Sequence, residues 1–179
     1  MTRDAARAAP SDLSNGSNLP ALDRDGHSVL DLDGYIPFLI SAVGNKWSRS
    51  SSNLYLKEFG IGVTEWRMLA MLAIEPRITA YRMCQVIGLD KAAASRGLKA
   101  MEARGLVRSW QEDPQNHRKL IELTDEGWAL HDRIIVVARR REALMLADLS
   151  RDEVATLAAL LRRMHKRIPD LLAIDSEDF

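Results

Sequence analysis

Between Thr79 and Thr124 the chain reads TAYRMCQVIGLD, KAAASRGLKAMEARGLV and RSWQEDPQNHRKLIELT, and that order of segments leaves few folds open. Ala80, Met83, Cys84 and Ile87 recur at i, i+3, i+4 and i+7, which predicts a short helix with one apolar face. Thr79 is placed to cap its start and Gly88 to end it. Asp90 is the natural N-cap of a second helix, which Gly105 closes. In that helix Ala94, Leu98 and Met101 point inward, and the opposite side carries Lys91, Ala92, Ser95, Arg96 and Lys99. Two short strands around a polar tip follow. Two helices joined by a tight turn, the second presenting small residues and cations, suit a DNA major groove. The groove admits a helix only where outward side chains are short, with Lys or Arg placed for base edges and phosphates.

The charge distribution agrees. The 179 residues carry 25 Lys/Arg and 25 Asp/Glu, unevenly spread. Residues 64–124 hold ten basic against seven acidic groups, whereas 1–34 hold three against six and 125–179 nine against eleven. A basic middle between acidic ends points to a local anionic partner rather than to a generally adhesive surface. One cysteine excludes an intramolecular disulfide, so a reducing compartment is expected. No apolar run has the length of a membrane span and the N-terminus lacks a signal-like apolar region, which predicts a soluble, cytoplasmic protein.

In chain order, residues 1–34 are rich in Asp, Ser, Asn, Gly and Ala and read as a flexible arm. A long helix is expected from Tyr35 to Phe59, with Pro37 in its first turn and Gly60 closing it. Its stripe is Ile36, Leu39, Ile40, Val43, Trp47 and Leu54, interrupted by SRSSSN at 48–53. Serines are poor mid-helix residues, so this patch is either a solvated weak spot or the wall of a polar pocket. Thr64 is read as the cap of the next helix, which Pro76 breaks. After the strands, Thr124 caps a helix with Leu130, Ile134, Val137, Leu144 and Ala147 as its apolar set. Ser150 and Glu153 form a capping box for the last helix, which carries Val154, Leu157, Leu161, Met164 and Ile168 before Pro169. The fold class expected is mostly α, an α+β winged helix.

The order of elements resembles the MarR family of winged helix-turn-helix transcriptional regulators. The resemblance rests on LDKAAASRGLKAMEARGLV, on DPQNHR and on the LTDEG that opens the following helix, and it spans most of residues 35–168. It implies an arm at 1–34, an N-terminal helix at 35–60 for dimerisation and a pocket wall, and a winged DNA-binding domain at 61–124. Dimerisation helices at 125–172 and an acidic tail at 173–179 complete the chain. It also implies an obligate homodimer on a pseudo-palindromic operator, its recognition helices about 34 Å apart. Residues 35–47 and 154–172 are the surfaces left for the dimer seam.

Carried over by position, Lys91, Ser95, Arg96 and Lys99 match groove-facing residues of the family, and Asp113 and Arg118 its wing acid and minor-groove arginine. Asn116 stands where the family often has Asp. This chain departs by having Ser109 where a basic residue is usual, with Arg108 one place earlier, by Ala93 in place of a hydroxyl residue, and by Arg118 lying one residue nearer the next helix. Arg118 on a hairpin tip can enter a narrow minor groove, and His117 and Lys119 can reach phosphate. Asp113 would be repelled by DNA and is better suited to orienting the wing arginine.

The resemblance also implies release of DNA by a small molecule, often an aromatic acid, bound where the dimer helices meet the winged domain. Here that junction is expected to include Trp47, Ser48, Ser51, Ser52, Trp66, Arg67 and His131. An aromatic carboxylate or its coenzyme A thioester needs a ring platform with a cation or hydroxyl partner. Cys84, on the inner face of its helix, reads as a packing thiol, the alternative being a cysteine redox-sensing regulator. A helical protein–protein adaptor would keep the amphipathic ends but has no use for the basic helix and wing. Catalysis has no residues to stand on: the histidines at 27, 117, 131 and 165 are scattered without metal-ligand spacing, and no phosphate-binding or nucleophile motif occurs. No metal or cofactor is expected.

Overall fold

The computed structural model describes residues 21–111 and 118–171. The chain divides into two units, Met1–Val63 and Thr64–Phe179. In the first, strands β1 (Ala21–Arg24) and β2 (His27–Leu30) form an antiparallel hairpin ahead of the long helix α1 (Ile36–Phe59). The second holds α2 (Val63–Ile74, opening at the junction), α3 (Ala80–Ile87), α4 (Lys91–Ala103), β3 (Val107–Gln111), β4 (Lys119–Leu123), α5 (Asp125–Met145) and α6 (Arg151–Leu171). This is a mostly helical winged-helix architecture.

The β1–β2 hairpin occupies part of the segment read as a flexible arm; residues 1–20 lie outside the described part, as does the acidic tail at 173–179. Its cause is local. Asp25 and Gly26 take φ values of 55° and 82°, the pair of positive φ angles that a two-residue type I′ turn requires. On α1, Gly60 adopts the left-handed conformation and its N–H closes on the Leu56 carbonyl. Ile36, Leu39, Ile40 and Val43 are exposed while Ser51 and Tyr55 are buried. At Ser51, therefore, the serine patch is no solvated weak spot.

The second unit is built around Met68, Leu69 and Leu72 of α2, which meet no solvent, together with Met83, Ala94, Met101, Leu106, Val107, Ile121, Leu123, Leu130 and Ile134. Each of these side chains other than Ala94 contributes about 1.5–3 kcal/mol of burial. Thr79 accepts the Arg82 N–H, Asp90 that of Ala93 and Thr124 that of Gly127, so all three caps lie where the sequence places them. Thr64 differs: α2 already begins at Val63. The wing pairs Val107 with Leu123 through Gln111 with Lys119. A third segment joins it where the Ile121 N–H donates to the Ile78 carbonyl at 2.9 Å.

One expectation about the last helices changes. Leu144 is 71% exposed and Ala147 lies beyond the end of α5. Ten residues past Ile134, Leu144 is about 15 Å along the helix and out of reach of the core under β4. The helix α6 continues through Pro169 to Leu171. The ring forgoes one ladder hydrogen bond in the final turn, across which Arg167 meets Asp170 at 3.0 Å. The capping box forms, with Ser150 N–H on Glu153 at 2.8 Å and Glu153 N–H on the Ser150 hydroxyl at 3.3 Å. No residue of α6 is buried.

Candidate nucleic-acid interface

Helix α4 faces two ways. Ala94, Gly97 and Met101 are buried against the rest of the unit, and a Cβ at Gly97 would lie 2.9 Å from the Met68 sulfur, so α4 packs closely on α2. The other side presents Lys91, Ala92, Ser95, Arg96 and Lys99 to solvent, as the sequence pattern implies. Asp90 fixes the helix start at 2.8 Å from the Ala93 N–H. The outward face thus carries three cations and two small residues.

Between α3, α4 and the wing lies an open concavity of about 1160 Å³, bordered by Tyr81, Lys91, Ser95, Lys99, Arg118 and Lys119. Arg118 and Lys119 enter it from the start of β4. The structure therefore brings Lys91 and Lys99 of α4 to one surface with Arg118 and Lys119, while Arg96 is exposed on α4 outside that lining. Asp113, Asn116 and His117 lie outside the described residues. Cys84, expected as a buried packing thiol, is half-buried and also borders this concavity, because α3 covers the core mainly through Met83.

Several polar contacts around this surface were not singled out by sequence pattern. Tyr81 is 71% exposed, and its hydroxyl accepts the Gln85 side-chain N–H at 2.9 Å. Glu75 receives Arg82 through both carboxylate oxygens, which holds that guanidinium even more firmly charged than usual. Ser109 donates to Glu102, tying β3 to the last turn of α4. Glu122 sits between two arginines: Arg108, directly opposite in register, donates its Nε at 2.7 Å together with a terminal N–H, and Arg77 donates its Nε at 3.3 Å. The Arg108 hydrogen bond holds the Glu122 carboxyl below its ordinary range despite partial desolvation, with Arg77 adding to the effect. The opposed Arg108 and Glu122 can be read only once the strand register is known.

The residues expected to hold a small molecule are divided. Trp47, Ser48 and Ser51 belong to α1, whereas Trp66 and Arg67 lie on α2 and His131 on α5. Within the second unit, His131 is buried and stacks on Trp66 at a centroid distance of 5.6 Å. The edge of Trp128, a residue the sequence reading passed over, approaches it at 5.5 Å. Asp132 meets the His131 Nδ1 at 3.0 Å, and Arg67 is exposed. Among the described residues no cluster of His, Cys, Asp or Glu is placed to hold a metal ion, and no helix is long and apolar enough to cross a membrane.

A model of the MarR family matches residues 59–119. The HTH-type transcriptional regulator PecS of Dickeya dadantii is 29% identical over 149 residues, which covers 83% of this chain and 87% of PecS. Among solved structures, a MarR/EmrR family transcriptional regulator from Acinetobacter sp. ADP1 superposes with a TM-score of 0.73 at 28% identity, over 79% of this chain and 99% of that one. A mutant MarR from E. coli complexed with operator DNA superposes with a TM-score of 0.62 at 27% identity, over 72% and 94% of the two chains. The matched segment holds the helix pair and the start of the wing described above, and over most of its length the chain is similar to winged helix-turn-helix transcriptional regulators of the MarR family.

Proposed function

We propose that this regulator binds a pseudo-palindromic operator as a homodimer and represses transcription until a small aromatic acid, or its coenzyme A thioester, releases it. The observation that carries the DNA reading is the convergence of Lys91, Lys99, Arg118 and Lys119 around one concavity beside the small residues of α4. Short side chains let the helix approach base edges while the flanking cations neutralise phosphates. The E. coli relative bound to operator DNA supports the same use of the fold here.

Dimerisation is supported by α6, whose Leu157, Leu161, Met164 and Ile168 form an exposed stripe with no buried residue on the helix. Ile36, Leu39, Ile40 and Val43 add a second apolar surface on α1. Apolar surface in continuous stripes marks association rather than solvent exposure. The domain roles follow, with α1 and the last two helices serving the dimer and residues 61–124 serving DNA. For the effector, the Trp66–His131 stack supplies an aromatic platform, to which Arg67 is assigned as a further contact. A ligand of this kind acts by binding the DNA-incompetent dimer better, and such coupling amounts to about 1–3 kcal/mol.

The test is a titration of operator-length duplex, with and without a panel of aromatic acids and their thioesters. Sequence-specific binding by a dimer, lost on adding one of them, is expected. A monomer at micromolar concentration would refute the dimeric grip, and specific binding insensitive to every compound would refute the effector assignment.

A further inference from the structure

We infer that Glu122, held between Arg108 and Arg77, is a positioning residue that sets the direction of the wing against α4. The inference rests on the DNA-binding reading proposed above and names what that site needs beyond its cations. A two-stranded hairpin is marginal by itself in water, so strands that carry Arg118 and Lys119 need a fixed root. Two ties supply it toward α3 and α4: the Ile121 N–H on the Ile78 carbonyl at 2.9 Å and the Ser109 hydroxyl on Glu102. On the outer side the tie is Glu122. Arg108 reaches it from β3 and Arg77 from the connection before Ile78, at 2.7 Å and 3.3 Å respectively.

Three segments distant in sequence therefore share one carboxylate. The geometry differs from that of an ordinary surface pair. The Glu122 side chain is only 13% exposed, while Arg77 holds a left-handed backbone at φ 60° that arginine seldom adopts. Exposed ion pairs contribute little; a half-buried carboxylate shared by two guanidiniums, in register across a ladder, is better placed to fix an angle.

The sign of the effect distinguishes positioning from simple charge. A carboxylate near the DNA face repels phosphate, so neutralising it should tighten binding and free two arginines to take phosphates. Positioning demands the opposite. In full-length protein, Glu122→Gln is expected to weaken specific duplex binding by about tenfold or more, with no steeper dependence on salt. Amide exchange at Ile121 and through 107–111 should quicken, while circular dichroism and oligomeric state stay unchanged. Combining Glu122→Gln with Arg108→Gln should weaken binding no further than the worse single change, since both act through one tie.

Unchanged or tighter binding by Glu122→Gln, with a steeper salt slope, would overturn the inference, as would unaltered exchange at Ile121. A double variant restored to wild-type affinity would do the same, because it would mean that the two charges merely offset each other. Should Glu122→Gln fold poorly, Arg108→Lys keeps the charge but loses the two-point contact and is expected to show the same loss. Wild-type protein that binds no duplex would refute the DNA reading itself, and the wing's role with it.

Discussion

Gly127 opens α5 one turn from Thr124, and replacing it with alanine turns a normally favourable change into a costly one. A Cβ there would lie 2.1 Å from the Leu106 carbonyl oxygen and 3.1 Å from its carbon. That oxygen also accepts the Thr124 N–H at 3.2 Å, while the Thr124 hydroxyl accepts the Gly127 N–H at 3.1 Å. In an open helix, Gly→Ala gains about 0.5–1 kcal/mol. Here the helix and the start of β3 must part by on the order of 1 Å, because close carbon–oxygen contacts settle near about 3.3 Å. Overpacking of that kind costs about 1–3 kcal/mol, and the strained Thr124 bond adds about 1 kcal/mol. The net expectation is a loss of about 1–3 kcal/mol. Gly97 is the internal control. Its obstacle is the Met68 sulfur at 2.9 Å, the middle of a flexible thioether, so Gly97→Ala should stay within about 1 kcal/mol of wild type. Urea unfolding at a single protein concentration measures both. A Gly127→Ala variant as stable as wild type, or more so, would refute the clash argument.

Arg118→Ala is expected to weaken operator binding by about 1–3 kcal/mol at fixed salt, and unchanged affinity would remove Arg118 from the interface. Leu161→Asp places a charge in the exposed stripe of α6 and should shift the protein to monomers in light scattering, abolishing tight operator binding with them. Ser150→Ala should cost about 1 kcal/mol near neutral pH, read in thermal unfolding. The Ser150 hydroxyl and N–H hold the Glu153 carboxyl below its ordinary range. A depressed folded value means that this contribution is complete above the unfolded carboxylate range and disappears as pH falls through the folded value. The Ser150→Ala deficit should therefore shrink on acidification below about pH 4, and a deficit constant down to pH 3 would contradict it.

The parts of the fold legible in the sequence are those whose chemistry is local. Thr79, Asp90, Thr124 and Ser150 each bond a backbone N–H a few residues on, so spacing alone reveals them. The outward set of α4 was legible because helical periodicity sorts Ala94 and Met101 from Lys91 and Arg96. The hairpin at 21–30 had a local signal too, in Asp25-Gly26, but its side chains are largely exposed and carry no strong apolar alternation. Leu144 and Ala147 show the reverse limit. A periodic apolar residue says nothing of whether a partner surface, or the helix itself, extends that far. In the site, the tie at Glu122 joins residues 45 and 14 positions apart, which no pattern along the chain exposes. Trp128 was within reach, since it precedes His131 by three residues and shares its helix face.

Whether α4 and the wing form one DNA interface is tested most directly by the salt dependence of operator binding by the wild-type protein. Saturable binding is expected, with two chains per duplex and log affinity falling linearly with log salt at a slope of about −0.9 for each phosphate neutralised. Cations on both α4 and the wing in each protomer require several such contacts, so the slope should be steep. Binding that ignores salt, or no binding to any duplex drawn from the surrounding genome, would contradict a single interface.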